Sequence, residues 1–227
     1  LEGNAAAFIE SGDNNYIDVN FPPYIPDIII DADNIWIGND VTVYVTIANT
    51  TGNVTIKVND KEFKDLILVD GKVSQLVNVS DLVAGINNVV VTFTSTDGAM
   101  RSGNETAAFY VLNGVVTQDT YTLYFNQDDN GKLFDYVPEG ATLDFQGSII
   151  NPDQAITVQM NVNKPVNIIS STKDAYVDLN TTAGSLLGES PGNSFAITKG
   201  GSGSNVTGIN FHNTQLWISN THNVILD

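Results

Sequence analysis

The sequence predicts an all-β protein, and three observations lead to that prediction. Apolar and polar residues alternate with a period of two in segments such as 41–47 (VTVYVTI) and 54–58 (VTIKV), which is the pattern of half-buried strands. Turn-forming residues interrupt these segments at intervals of roughly 8–12 residues, and no segment shows the period of an amphipathic helix. The chain has no cysteine, so strand packing must stabilise it without disulfides.

The first 26 residues are expected to form an extended N-terminal lead. Three prolines fall within residues 21–26 (FPPYIP), and proline-rich segments favour an extended or polyproline II conformation. We therefore assign residues 1–26 to a linker. No basic and apolar leader opens the chain, so we expect any signal peptide of a secreted form to have been removed.

Residues 27–113 contain a series of alternating segments with turn signals between them. The segments lie at 28–30, 35–37, 41–47, 54–58, 66–69, 73–77, 86–94 and 107–112. Asp70-Gly71 predicts a hairpin turn between the fifth and sixth segments. About seven strands in a stretch of this length are typical of an Ig-like β-sandwich, which is our prediction for residues 27–113.

From residue 114 onward the pattern changes to short strands separated by asparagine, serine and glycine corners. Residues 121–125 and 141–145 predict two strands, with a hairpin turn at 128–131 (DDNG). The pairs 205–206 and 223–224, both Asn-Val, repeat a corner-and-strand step 18 residues apart. A solenoid coil uses about that length of chain, and its coils must stack to bury their apolar faces.

In this register five side chains are predicted to point into the coil: Ile209, Phe211, Leu216, Ile218 and Leu226. Trp217 falls between two of them and is expected to point outward. Residues 114–227 are therefore predicted to form the cap and first coils of a parallel β-helix. The strand-like run 223–227 (NVILD) has no polar cap, so we expect a longer protein with further coils.

Four motifs of the second half occur in a characteristic order: Tyr124-Phe125 followed by Asn130-Gly131, then VPEGATLDFQG (137–147), NKPVNII (163–169) and GSNVTGINF (203–211). With them this half resembles the adhesin-like surface proteins of methanogenic archaea. The resemblance implies a pectate-lyase-like right-handed parallel β-helix beside Ig-like repeats, a location at the cell surface and a role in adhesion. It supplies no catalytic residues.

The formal net charge of −17 limits the choice of partners. Acidic residues outnumber basic ones 26 to 9, and the excess is spread over both halves. Such a surface repels phosphate backbones and anionic lipid, so we expect no nucleic-acid partner. No apolar run approaches the ~20 residues of a spanning helix, so we expect no direct membrane insertion of this segment.

The one candidate metal site lies in residues 126–131 (NQDDNG). Asn126, Asp128 and Asn130 occupy positions 1, 3 and 5 of a calcium-loop pattern, with glycine at position 6. Val137 stands at position 12, where that pattern needs a glutamate, so a hairpin turn explains these residues better. We expect no cofactor, with calcium at this loop as the alternative.

The sequence predicts no catalytic site. A β-helix lyase or hydrolase would need carboxylates and a basic residue close together on one face. The only arginine, Arg101, lies in the first half, and the carboxylates of the second half are scattered. His212 and His222 lack a third metal ligand and are interpreted as corner residues. We therefore expect that the protein is not an enzyme.

Six Asn-x-Ser/Thr sequons are glycosylation candidates: Asn49, Asn53, Asn78, Asn104, Asn180 and Asn205. Their number is close to chance for this composition, but a surface glycoprotein would use such sites. Asn49, Asn53 and Asn104 are predicted to lie at turns.

Trp217 is the candidate ligand-binding residue, and Tyr44 is a second aromatic predicted to be exposed. Aromatic rings at a surface can stack on sugar rings. A neighbouring domain that covers the ring is the alternative explanation.

Three functions remain open. The first is an extracellular, cell-surface adhesin-like module: an Ig-like spacer and a rigid β-helix scaffold that bind a protein or glycan of another cell or the host. The second is a self-assembling filament subunit that donates residues 28–30 to the next sandwich by β-strand addition. The third is a fragment of a polysaccharide lyase or hydrolase of the β-helix type.

Overall fold

The computed structural model describes residues 24, 26–96, 100–181 and 192–227. Within these ranges the regular structure consists of twenty-one strands, one helical turn, and 3₁₀ turns at Val79–Asp81 and Gln127–Asp129. The prediction of an all-β protein is confirmed. Among the described residues, no helix has both the length and the apolar character to cross a membrane.

Eight strands form two sheets that share one apolar core. They are β1 (Ile28–Asp31), β2 (Ile35–Trp36), β3 (Val41–Ile47), β4 (Gly52–Val58), β5 (Lys61–Ile67), β6 (Lys72–Val77), β7 (Gly85–Ser95) and β8 (Gly103–Leu112). The sheet orders are β1-β3-β6 and β2-β8-β7-β4-β5. All pairs are antiparallel except β2–β8. We refer to these eight strands as the two-sheet unit.

The period-two alternation explains why the two sheets pack on each other. Along β3, every second residue from Val41 to Ile47 is at most 4% exposed, whereas Tyr44 between them is 53% exposed. Phe93 and Phe109 fill the centre of the same core. Each such buried side chain contributes about 1.5–3 kcal/mol, so the alternation dictates which face of each strand turns inward.

The turn predicted at Asp70-Gly71 is confirmed, with φ values of 51° and 71°, but the predicted pairing of residues 66–69 with 73–77 as a hairpin is wrong. Only Val69 and Lys72 pair across the turn, because β5 pairs with β4 while β6 pairs with β3. The chain crosses from one sheet to the other here, and Leu68 enters the shared core at the crossing. The apolar segment 66–69 therefore marks a change of sheet.

The remaining strands form three sheets from successive coils of the chain. They are β9 (Val115–Val116), β10 (Phe125–Asn126), β11 (Lys132–Leu133), β12 (Thr142–Phe145), β13 (Ser148–Ile150), β14 (Gln159–Val162), β15 (Asn167–Ile169), β16 (Tyr176–Asp178), β17 (Ser194–Ile197), β18 (Asn205–Thr207), β19 (Asn210–His212), β20 (Gln215–Ile218) and β21 (Ile225–Leu226). The orders are β10-β11-β14-β17-β20, β21-β18-β15-β12-β9 and β13-β16-β19. All pairs are parallel except β10–β11. We refer to these thirteen strands as the coil unit.

Inner residues of successive coils lie in register and build one continuous core. Met160, Phe195 and Leu216 are aligned across β14, β17 and β20. The first two are at most 2% exposed, while Leu216 in the last described coil is 46% exposed. By the same registers Phe211, Ile218 and Leu226 continue inner columns, and Ile209 packs against the core, as predicted.

The repeat of the coil is longer than predicted. Val206 lies opposite Leu226, a step of 20 residues, so the predicted 18-residue step is wrong. The two Asn-Val pairs are not equivalent, because Asn205 lies in β18 whereas Asn223 lies in a corner with a φ of 55°.

The strand predicted at 121–125 is also wrong. Tyr121–Tyr124 forms a helical turn, α1, and only Phe125–Asn126 continues as strand β10. Both Tyr124 and Phe125 are at most 1% exposed, and an extended strand would turn consecutive side chains to opposite faces. The helical turn allows both rings to be buried, and the hairpin that follows at 128–131 is confirmed by the pair β10–β11.

The two units meet in a tight junction. Leu112, the last residue of β8, is 3% exposed and belongs to the core of the coil unit, and Trp36 packs against that core. The N–H of Gly114 donates to the hydroxyl of Tyr124 at 3.1 Å. Burial raises the pKa of Tyr124 to about 12, so this buried hydroxyl stays neutral at physiological pH.

Lys164 holds the loop that contains Phe134 and Val137 against the coil unit. Its ammonium group donates to the carbonyl of Phe134 at 2.9 Å and to that of Val137 at 3.0 Å. The neighbouring Pro165 carbonyl accepts from the N–H of Gly140 at 2.7 Å. The Asn-Lys-Pro motif therefore supplies the contacts that hold the loop onto the coil.

Candidate ligand-binding groove

A surface groove lies on the outer face of the sheet formed by β11, β14, β17 and β20. Because residues alternate between the two faces of a strand, the register that turns Phe195 inward turns its neighbours Ser194 and Ala196 outward. Asn161, Ala196 and Trp217 form one outer column across three coils. Trp217 thus lies on the outer face, as the sequence predicts.

The groove has a volume of about 200 Å³, and the described side chains that line it are uncharged. Ala196 and Trp217 supply its apolar surface. Its polar lining comes from Asn130, Gln159, Asn161, Ser194 and Thr198. Ser194 and Ala196 form the floor of the groove and are only 1% and 4% exposed, because larger side chains stand beside them on the adjacent strands.

Several polar groups of the groove are held in place by hydrogen bonds. The hydroxyl of Thr198 donates to Oδ1 of Asn161 at 2.7 Å. The amide of Gln127 brackets the backbone of Gln159, with its Nε2 donating to the carbonyl at 2.9 Å and its Oε1 accepting from the N–H at 3.1 Å. The groove is therefore built on a fixed sheet rather than on a free loop.

The indole of Trp217 is half-buried and borders the groove. It lies one coil beyond Ala196 in the same outer column, so its apolar surface continues that of the alanine. An aromatic face beside amide and hydroxyl groups is the usual composition of a small-molecule site, with an apolar wall and a few placed polar groups.

The candidate calcium residues form the predicted hairpin turn. Oδ1 of Asn126 accepts from the N–H of Asp128 at 3.1 Å, and Asn130 closes the turn with a φ of 52°. Asp129 pairs with Lys132 at 2.9 Å. Among the described residues, no group of three or more histidine, cysteine, aspartate or glutamate side chains is placed to hold a metal ion.

The structure brings together a second polar cluster that the sequence pattern did not reveal. Nδ1 of His212 lies 3.1 Å from Oδ2 of Asp178, and the amide of Asn213 donates to the same oxygen at 3.1 Å. The imidazole stacks on Tyr176, with ring centroids 5.7 Å apart. His212 is the last residue of β19 and pairs with Asp178 of β16, so the corner position predicted for it is wrong. His222 does lie at a corner, with its Nδ1 3.2 Å from the hydroxyl of Ser202.

The carboxylate of Asp178 is stabilised in this cluster. Burial acts to raise its pKa, but the hydrogen bonds from His212, the N–H of Asn180 and Asn213 outweigh that effect, and the pKa lies below its ordinary value. The cluster holds one acidic group with an imidazole partner. Among the described residues, no second carboxylate hydrogen-bonds into this cluster.

Four glycosylation candidates lie on the two-sheet unit at exposed positions, and three of them are predicted to lie at turns. Asn49 occupies a turn with a φ of 56°, as predicted. Asn53 and Asn104 lie within β4 and β8, so the turns predicted for them are wrong. Each still points to solvent, because it alternates with the buried face of its strand.

The other three sequons occupy different surroundings. Asn78 is exposed just before the 3₁₀ turn Val79–Asp81. Asn180 and Asn205 are half-buried. Oδ1 of Asn180 accepts from Gln154 at 3.4 Å, and the amide of Asn205 donates to Oδ1 of Asn167 at 3.1 Å. Asn205 therefore takes part in a side-chain ladder between coils.

Comparison with known proteins adds little to this geometry. No protein-family model matches the chain, and no curated protein matches it. Among solved structures, the endo-beta-1,4-mannanase from Thermotoga petrophila is similar over 39% of this chain and 20% of its own, at 17% identity and a TM-score of 0.32. A likeness this low supports no statement about the fold or activity of this chain.

Proposed function

We propose that this chain is an extracellular, cell-surface adhesin-like module that acts by binding. In the proposal, residues 27–113 are an Ig-like sandwich that serves as a spacer. Residues 114–227 are the cap and first coils of a right-handed parallel β-helix that presents the binding surface. The role is inferred from the motifs that resemble those of the adhesin-like surface proteins of methanogenic archaea.

The sheet topology supports the two fold assignments. Two mainly antiparallel sheets over one core are the architecture of Ig-like sandwiches. Three parallel sheets built from successive coils are the architecture of parallel β-helices, and crossovers between parallel strands are right-handed in about 98% of cases. Each of the three complete coils, β12–β14, β15–β17 and β18–β20, contributes one strand to each sheet, which accounts for the central part of the sheet orders observed.

The observation that carries the proposed function is the groove beside Trp217. There a half-buried aromatic ring borders a depression lined by amides and hydroxyls. Those groups can bind a ligand but offer no paired carboxylates for hydrolysis. The proposed role is therefore recognition.

The tight junction supports the proposed spacer role. Leu112 and Trp36 of the two-sheet unit pack into the core of the coil unit, and only Asn113 and Gly114 separate β8 from β9. The groove is therefore held at a fixed position relative to the two-sheet unit, as a presenting scaffold requires.

A cell-binding assay tests the proposal. The chain is displayed on beads and incubated with intact microbial and host cells, and the beads retained are counted. Trp217→Ala should reduce retention, whereas Tyr44→Ala, which removes a 53% exposed ring from the two-sheet unit, should not. Equal retention of both variants and the parent on every cell type would contradict the proposal.

A further inference from the structure

We infer that a cleft at the junction of the two units receives one apolar side chain of a partner protein, and that basic residues of the partner flank this side chain. The inference goes beyond the proposed function, because it assigns a second binding site whose lining shares no residue with the groove beside Trp217. The walls of the cleft, its hydrogen bonds, its volume and the charges around it support the inference.

The cleft lies where the β7–β8 pair meets the start of the coil unit. One wall is the cross-strand pair of Ile86 and Tyr110, and another is Val115 of β9. The buried side chains of Leu112 and Tyr124 line its base. Ile86 is 51% exposed, so the cleft presents apolar surface to solvent.

Hydrogen bonds hold the wall that carries Ile86. Asn87 is fully buried, and its amide nitrogen donates to the carbonyls of Val83 at 2.7 Å and Gly85 at 3.1 Å. Its Oδ1 accepts from the N–H of Val83 at 3.0 Å. The loop before Ile86 is therefore fixed in advance, which reduces the conformational entropy lost on binding.

The backbone of Val115, on the edge strand β9, already has hydrogen-bond partners. Its N–H donates to Oδ1 of Asn113 at 3.2 Å, and its carbonyl accepts from the hydroxyl of Thr120 at 3.3 Å. The same hydroxyl oxygen accepts from the N–H of Thr117 at 2.9 Å. The described side chains that line the cleft are uncharged. A ligand would therefore gain more from burying apolar surface there than from new hydrogen bonds or an ion pair.

The volume of the cleft suits a single side chain. It is about 220 Å³, which is less than the roughly 300–1,000 Å³ of typical small-molecule sites. In protein interfaces, aromatic and aliphatic anchors commonly fill pockets of this kind and contribute much of the binding free energy. The appropriate occupant is therefore one apolar side chain of a protein segment.

The charges near the cleft favour a basic partner. Asp119 is exposed next to the lining residue Thr120, and Asp81 lies three residues before the lining residue Ala84. Lys61 approaches Asp81 only to 3.8 Å, and both side chains are partly solvated. The net charge of −17 repels a second copy of this chain. Lysine or arginine residues beside the anchor would steer and strengthen the association.

The test titrates the full chain with three blocked heptapeptides. The first has a leucine between paired lysines, the second has serine in place of the leucine, and the third has glutamates in place of the lysines. The anisotropy of fluorophore-labelled peptides gives the affinities, and the methyl resonance of Ile86 reports on the cleft. We expect the lysine–leucine peptide to shift that resonance to saturation and to bind at least about tenfold more tightly than the other two. Added salt should weaken its binding.

Two variants locate the site. Ile86→Ser removes an apolar wall and should weaken binding of the lysine–leucine peptide at least about tenfold. Ile29→Ser, at a 56% exposed isoleucine of β1, is the matched control and should bind normally. Thermal unfolding verifies that both variants are folded.

Every other outcome overturns the inference. Equal binding of the serine or the glutamate peptide would exclude the apolar anchor or the basic flanks, and equal weakening by Ile86→Ser and Ile29→Ser would exclude the cleft as the site. No response to any of the peptides would also overturn it. A shift of the Ile86 resonance that depends on protein concentration without peptide would replace the partner with a second copy of this chain. None of these results bears on cell retention through Trp217, so this inference and the proposed function can fail separately.

Discussion

The ring of Trp36 meets the ring of Tyr124 edge-on, with centroids 6.3 Å apart and planes at 80°. Trp36 comes from β2 of the two-sheet unit, and Tyr124 comes from the helical turn α1 that opens the coil unit. Edge-to-face pairs of this kind add roughly 0.5–1.5 kcal/mol beyond the area they bury. The stability of each unit should therefore depend on the other.

Replacing Trp36 with alanine should lower the free energy of unfolding by about 2–3 kcal/mol, less than for a fully buried aromatic, because Trp36 is half-buried. Urea unfolding followed by circular dichroism measures the change. Tyr44→Ala, at an exposed aromatic, is the control and should stay within about 0.5 kcal/mol of the parent. Equal urea midpoints for Trp36→Ala and Tyr44→Ala would show that the Trp36–Tyr124 contact does not stabilise the fold.

Gly114→Ala should destabilise the chain by roughly 2–5 kcal/mol. Gly114 has a φ of 91°, and a Cβ there would lie 2.3 Å from the carbonyl oxygen of Thr142. Gly38 has nearly the same φ, 94°, but a Cβ there meets nothing within 4 Å. Gly38→Ala should therefore cost only the strain of the backbone, about 1–2 kcal/mol. The difference between the melting temperatures of the two variants measures the cost of the contact with Thr142. Equal melting temperatures would contradict that contact.

Lys164→Met should lower the free energy of unfolding by about 1–3 kcal/mol, because it removes the ammonium donor from the carbonyls of Phe134 and Val137 while keeping the apolar stem. The Phe134 carbonyl still accepts from the N–H of Val137, so the loss falls mainly on the Val137 carbonyl. The matched control is Lys199→Met at an exposed turn, where we expect little change. Hydrogen exchange of the 134–141 amides should increase only in the first variant. Unchanged exchange would mean that the loop is held by other contacts.

Asp178 should give the chain an acid-sensitive component of stability. Its folded pKa is depressed below 3.8 by His212, Asn180 and Asn213 although burial opposes them, and the hydroxyl of Tyr176 also faces it at 3.5 Å. A depressed pKa stabilises the fold above the unfolded value, and this stabilisation is lost as the pH falls through the folded value.

The measurement is the difference in unfolding free energy between the parent and Asp178→Asn as a function of pH. It should be largest above about pH 4 and shrink toward about pH 2. Since the side chain is partly solvated, the pH-dependent part should not exceed about 1 kcal/mol. A difference that grows on acidification would contradict the assignment.

Local patterns predicted what depends on local physics. The alternation along 41–47 correctly predicted which side chains of β3 face the core, and the DDNG turn predicted the hairpin β10–β11. A strand is predicted at residues 121–125 because their aromatic and β-branched side chains favour strands. The burial of both Tyr124 and Phe125 favours a helical turn instead. Tertiary packing overrode propensity there.

The groove could not be read from the sequence because its members share no regular spacing. Asn161 and Ala196 are 35 residues apart, and Ala196 and Trp217 are 21 apart, yet they stack in one column. The corners between strands vary in length from coil to coil, so only the pairing register reveals which residues meet. Alternation placed Trp217 on an outer face, but not its neighbours.

The two-residue connection from β8 to β9 has a mechanical consequence. Asn113 and Gly114 offer no slack, because β8 is paired with β2 up to Leu112 and β9 is paired with β12 from Val115. A pull on one unit is therefore transmitted directly into the backbone ladder of the other. If the chain acts as the proposed adhesin-like module, a force between a bound partner and the two-sheet unit would pass through this connection, with no elastic segment between the two units to absorb it.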